Sequence, residues 1–322
     1  MVLDKYIKFI QYRFIGYAIT VVLFTVFITG TVMNGGFNWG IDFVGGIKVI
    51  AKFDQNVTAP QIREVLRANN VTADVQKYGG DEVNEYVIST RLPERASYAN
   101  VSEGAQERAV EMAAAATGTT LEVGNAGVDR IQSLLKGNFS NVQIIGIDEV
   151  GPAIGDYLKK SAIYLFLWCV ALMMVYLAFR FEFRYSVGAL AAIVHDVLLT
   201  FLFCGMFSIE INIPIIAGIL TIFGYSVNDT IVIYDRIREN LSNMAKQSFM
   251  EILNRSVTQT LSRTILTTVT SLIAVFCLYM IGEDVINDFA LILLFGFTVG
   301  VFSTIFLATP LVYEWNRIKS KS

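Results

Sequence analysis

Charge is scarce in this sequence. Of its 322 residues only 16% are Asp, Glu, Lys or Arg, and 54% are hydrophobic. A soluble domain carries about 25% charged residues. There is one histidine and there are three cysteines, which excludes a His/Cys metal cage and a disulfide framework. The net charge of −3 excludes a strongly basic nucleic-acid binder. The sequence holds no G-x-x-x-x-G-K-[ST], no H-E-x-x-H and no G-x-S-x-G. It therefore lacks a P-loop, a zincin helix and a nucleophile elbow. The expectation is a protein that is not an enzyme, holds no resident cofactor and binds no nucleic acid.

The missing charge is missing in blocks. Residues 14–41, 161–179, 211–228, 264–282 and 289–313 contain none, and 185–209 is broken only by His195 and Asp196. A helix needs ~20 apolar residues to cross the ~30 Å hydrocarbon layer. Unpaired backbone is too costly in lipid for such runs to be anything else. Six transmembrane helices are expected, over roughly 14–33, 161–179, 185–209, 211–234, 260–282 and 289–313. The first reads as an uncleaved anchor. Its apolar run is longer than a signal h-region and ends in Thr31–Val–Met–Asn–Gly–Gly36, without an A-x-A-like site. Cys169, Cys204 and Cys277 all fall inside these helices and are expected to be small apolar core residues.

Lysine and arginine gather before the first span, at Arg180 and Arg184, between Asp235 and Arg263, and after the last span. The short connections on the other side carry Glu210, Glu283, Asp284 and Asp288 and no basic residue. The positive-inside rule then puts both termini in the cytoplasm. The expected organisation is 1–33 as N-terminus and first span, 34–160 as an extracytoplasmic domain, and 161–322 as five further spans with a cytoplasmic loop at 235–259 and a cytoplasmic C-terminus.

The segment 34–160 carries ordinary charge and changes period. Strands are expected at 45–53, 71–78, 83–91, 119–123 and 142–147, and helices at 59–69 and 97–117. Gly79–Gly80–Asp81 reads as a hairpin turn. The core order is βαββαβ, so an α+β ferredoxin-like domain is expected between the first two spans.

Ionisable residues at membrane depth are functional hypotheses by default. His195 and Asp196 lie ~15 Å beyond Arg184 at 1.5 Å per residue, near the midplane. As neighbours in a helix they point about 100° apart and are not expected to pair automatically. Asp229 sits ~9 Å inside the cytoplasmic edge, and Arg263 enters the fifth span at similar depth. Thr221, Tyr225 and Asp229 share one helix face, with Ser226 and Asn228 alongside. Thr260, Arg263/Thr264, Thr267 and Ser271 make a matching stripe. Two readings remain open: static polar glue between helices, or an ion or proton relay. With no nucleotide site in the chain, an ion gradient is the available energy source; one charge crossing 100 mV yields ~2.3 kcal/mol.

Five blocks together resemble a known family. They are Gly40–Ile–Asp–Phe–Val–Gly–Gly46, Val150–Gly–Pro–Ala–Ile–Gly155, His195–Asp196, Gly224–Tyr–Ser–Val–Asn–Asp–Thr230 with Asp235–Arg–Ile–Arg–Glu–Asn240, and Thr260–Leu–Ser–Arg–Thr264. They look like SecF, the smaller membrane subunit of the SecD–SecF export complex in the resistance-nodulation-division superfamily. The resemblance implies a multi-pass protein of the bacterial inner membrane with residues 34–160 in the periplasm. It implies SecD, the SecYEG translocon, a preprotein and the lipid bilayer as partners. It further implies an accessory motor driven by the cation-motive force, with H⁺ or Na⁺ as coupling ion. The relay of the family matches Asp229 and Arg263, in a motif that includes Tyr225 and Asn228; Thr264 lies beside Arg263. The rival expectations are half of a small-molecule exporter of the same superfamily, and a passive assembly scaffold.

Overall fold

In the computed structural model the described residues are 6–71, 73–78, 84–90, 122–244, 246–282 and 285–319. The chain divides into two compact units, Met1–Asn38 with Ala162–Ser322, and Trp39–Ser161.

The first unit is helical. A 3₁₀ turn, Phe9–Tyr12, leads into α1, Arg13–Met33. After the second unit come α5 (Pro152–Arg180), α6 (Phe183–Met206), α7 (Ile213–Asn243), α8 (Phe249–Ile281) and α9 (Val285–Ser303). A π turn, Thr304–Ala308, joins α9 to α10, Thr309–Lys319. Among the described residues six helices are long and apolar enough to cross a membrane, α9, the π turn and α10 counting as one. Each expected span has its helix, but several helices overrun their charge-free run. α7 and α8 extend toward one another to Asn243 and from Phe249, so most of the expected loop 235–259 is helical. A charge-free run marks contact with lipid. The helix itself ends where the caps are. Asn212 Oδ1 accepts from the N–H of Ile215 at 3.0 Å, opening α7, and Glu251 accepts from the N–H of Ser248 at 3.1 Å, opening α8.

The six spans are not equivalent. Between 50% and 61% of the apolar window is buried in α6, α7 and the last span, against 17% or less in α1, α5 and α8. α6, α7 and α9 form the centre. Close approach there uses glycine: a Cβ at Gly296 of α9 would collide with Ile222 of α7, and one at Gly188 of α6 would lie 2.7 Å from Tyr234 Oη. At one end Ile10, Tyr185, Tyr234, Val257 and Val312 share one apolar cluster. The segment before α1 is tied across that end. Ile7 N–H donates to Thr258 Oγ1 at 3.0 Å, Ile10 N–H donates to Asn254 Oδ1 at 2.9 Å, and Arg13 pairs with Glu314 at 2.6 Å.

The second unit is a sheet with helices. Its described elements are α2 (Ile41–Val44), β1 (Gly46–Phe53), α3 (Ala59–Ala68), β2 (Ala73–Tyr78), β3 (Glu85–Thr90), α4 (Glu122–Asn138) and β4 (Val142–Val150). The strands form one antiparallel sheet in the order β2-β3-β1-β4. Val49, Ala51, Phe53, Ile62, Leu66, Ile88, Ile131 and Leu135 make its core. The expected helix 97–117 and the turn at 79–81 lie outside the described residues. The expected strand at 119–123 is corrected in part, because Glu122 and Val123 open a helix that the sequence reading did not foresee. Two adjacent β-branched residues at 119–120 suggested a strand, but α4 is anchored by Val128, Ile131 and Leu135, whose 3.6-residue spacing faces the sheet. The glycine motif has a local reason. Gly45 has φ +75°, and a Cβ at Gly46 would meet the Thr90 carbonyl oxygen at 2.5 Å. Gly155 packs against the backbone of Phe43 and Gly45.

Candidate functional site

A polar seam runs through the centre of the helical unit. α6 contributes His195 and Asp196, α7 contributes Tyr225 to Thr230, and α9 with its π turn contributes Ser303 and Thr304. α8 contributes Thr264 and Thr268. Each helix is held in lipid by its apolar residues, so these few groups have only one another to pair with.

Asp196 is fully buried and fully engaged. Its Oδ2 accepts from Ser226 Oγ at 2.6 Å and lies 2.7 Å from Ser303 Oγ, and its Oδ1 lies 2.9 Å from His195 Nδ1. The expectation that the neighbours His195 and Asp196 would not pair is corrected. Both side chains are confined by packing, and the imidazole turns its Nδ1 onto the carboxylate. The other ring nitrogen, Nε2, faces Thr20 Oγ1 of α1 at 3.5 Å, and Phe24 meets the ring edge-on. Thr230 Oγ1 donates to the Ser226 carbonyl at 3.1 Å and lies 3.0 Å from Thr304 Oγ1.

Asp229 is different. It is 4% exposed, yet its Oδ2 has no hydrogen-bond partner among the described residues, and neither has the buried Thr264 Oγ1. Tyr225 donates to Thr268 Oγ1 of α8 at 3.3 Å and stacks on Phe297 of α9 at 4.1 Å. Arg263 is exposed and makes no salt bridge among the described residues. Asn228 is exposed as well. The expected stripe on α8 divides: Thr260, Thr264 and Thr268 face the core, whereas Arg263 and Thr267 do not, and Thr267 Oγ1 turns back to the Arg263 carbonyl at 2.9 Å. Of the cysteines only Cys204 is a buried core residue. Cys169 is half-buried and Cys277 exposed, because α5 and α8 are peripheral.

The structure thus brings Asp229, Tyr225 and Thr264 to the α7–α8 contact and leaves Asn228 and Arg263 on its outer side. A buried carboxyl oxygen without a donor is costly, at about 1–3 kcal/mol. A proton on that oxygen, a water or a bound cation removes the cost. The sequence reading missed Ser226 as a ligand of Asp196, and missed Ser303 and Thr304 altogether. Their only signal was two adjacent hydroxyls in an otherwise apolar run.

Residues 130–318 match the family described as protein export membrane protein SecD/SecF, C-terminal, and residues 33–57 match the SecD/SecF GG motif. The protein translocase subunit SecF of Haemophilus influenzae is 33% identical over 307 residues, covering 95% of this chain and 85% of that one. The SecF of Endomicrobium trichonymphae is 33% identical, covering 98% and 92%. The crystal structure of SecDF from Thermus thermophilus, a translocon-associated membrane protein, superposes with a TM-score of 0.77 at 29% identity. It aligns with 98% of this chain, which spans 40% of the SecDF chain. The chain is a multi-pass membrane protein and belongs to the SecF family of protein-export subunits.

Proposed function

We propose that this chain is the SecF half of a SecD–SecF accessory motor that uses the cation-motive force to promote preprotein translocation through the SecYEG channel across the bacterial inner membrane. Asp229 is the group that takes up and releases the coupling ion, H⁺ or Na⁺, and Arg263 is its counter-charge. Tyr225, Asn228 and Thr264 shape the site. The sheet-bearing unit is a ferredoxin-like periplasmic head, a reading supported by its antiparallel order β2-β3-β1-β4. Both termini are cytoplasmic, and the chain performs no covalent chemistry.

One observation carries this reading: Asp229 is buried with an unpartnered Oδ2 on the α7 face that meets α8. Static glue would have both carboxyl oxygens satisfied, as Asp196 does. SecD is the partner that completes the exposed side of the seam, where Asn228 and Arg263 lie.

The test is translocation into inverted vesicles, with and without a gradient. Asp229→Asn is expected to reduce the gradient-stimulated rate to the gradient-free rate while SecD still co-purifies. Full stimulation in that variant counts against the motor. Collapsing the proton gradient in Na⁺-free medium, and then the Na⁺ gradient alone, identifies the ion.

A further inference from the structure

The seam has a second carboxyl, and its geometry is the reverse of the first. Asp196 uses one oxygen, Oδ2, to hold two hydroxyls from two other helices, Ser226 on α7 and Ser303 on α9. Its other oxygen faces His195, which fixes the carboxylate plane from the same helix. Ser226 lies one turn before Asp229 and one residue after Tyr225. Ser303 is the last residue of α9 before the π turn.

We propose that Asp196 is a positioning residue for the Asp229 site. It acts as a clasp that sets the rotation of α7 about its own axis, and the π turn is the slack that accommodates that rotation. This rests on the reading of Asp229 given above. Geometry gives the lever arm. A rotation of about 20° moves a Cα by roughly 0.8 Å at a helix radius of ~2.3 Å, and moves a side-chain tip further. Displacements on the order of 1 Å are enough to spoil a transfer site. Hydrogen bonds to a charged acceptor are the strong ones, and two converging on one oxygen fix a direction that neither fixes alone. The π turn supplies the compliance. The Thr304 carbonyl accepts from the Thr309 N–H and, at 3.0 Å, from Thr309 Oγ1. The backbone there can change register while its carbonyl keeps a partner. π turns within helices cluster at functional sites.

Static cross-bracing predicts that only stability depends on the clasp. Positioning predicts that the α7–α8 geometry depends on it. The experiment uses the full chain with SecD in liposomes. Spin labels are placed at Thr221→Cys on α7 and Thr270→Cys on α8, both exposed, with the three native cysteines replaced by alanine. Their distance distribution is read beside gradient-stimulated translocation. Ser226→Ala with Ser303→Ala is expected to broaden the distribution and to lower stimulation roughly tenfold, the scale of one charge-assisted hydrogen bond. Each single variant is expected to do less. Asp196→Asn, whose neutral amide oxygen still accepts both hydroxyls but less strongly, is expected to keep the distribution narrower than Asp196→Ala does. A native distribution in the double serine variant overturns the proposal, and so does an Asp196→Asn as disordered as Asp196→Ala. Should Asp196→Ala fail to fold, the serine variants decide. The distance does not depend on a gradient, so retained stimulation in Asp229→Asn overturns the motor while leaving the clasp to be judged by the labels.

Discussion

Two aspartates on facing helices have opposite fates, and single atoms decide between them. Asp196 has hydroxyl and imidazole groups around both oxygens, so its burial is compensated. Asp229 has a bare Oδ2. From sequence both were intramembrane carboxyls near polar neighbours, and their depths followed from 1.5 Å per residue. What could not be read was rotamer and facing. Asn228 and Asp229 are adjacent, but one is exposed and the other buried. That difference of one helical step depends on which neighbour α7 packs against. At the same scale, Gly296 is the point where α9 meets Ile222. Gly296→Val is expected to destabilise the helical unit by about 1–3 kcal/mol, the usual range for overpacking. Thermal unfolding in detergent checks it, and an unchanged midpoint would contradict the close packing described.

At the scale of the element, helix existence was legible and helix ends were not. Runs with little or no charge located the six apolar helices found among the described residues, because the lipid demands apolar side chains over a fixed length. They did not show that α8 begins at Phe249, where Ser248 and Glu251 close a capping box before the apolar stretch starts. Nor did they show the π turn at Thr304–Ala308, since a π turn has no composition of its own. The caps make a prediction. Asn212 is buried and its Oδ1 satisfies the Ile215 N–H. Asn212→Ala should cost about 1 kcal/mol of stability, and Asn212→Asp or Asn212→Ser much less. Chemical denaturation of the three variants, compared at equal detergent, would show it.

At the scale of the whole molecule, the second of the two compact units coincides with the stretch where charge returns to the sequence, between Lys48 and Lys160. The sheet was legible from alternation and from the Thr58–Pro60 start of α3, where Gln61 accepts from the Thr58 N–H at 2.9 Å. The helix Glu122–Asn138 was not foreseen because its buried anchors Val128, Ile131 and Leu135 are diluted by Gly, Asn and Ser. The basic clusters make an orientation prediction. In a cysteine-free background, Gln247→Cys should react with an impermeant maleimide only from the cytoplasmic side, and Gln55→Cys only from the periplasmic side. Both positions are exposed. Labelling of both from one side would refute the proposed topology.

The strap before α1 has a consequence for how the molecule comes into being. Ile10, which is fully buried, and Arg13 find their partners at Asn254 and Glu314, 244 and 301 residues further along. At a synthesis rate of ~5–20 residues per second, the ribosome needs roughly fifteen seconds to a minute to deliver Glu314 after Arg13. Throughout that interval Ile10 and Arg13 lack the partners they have in the folded chain. A helix some three hundred residues downstream is what holds the start of α1 in place.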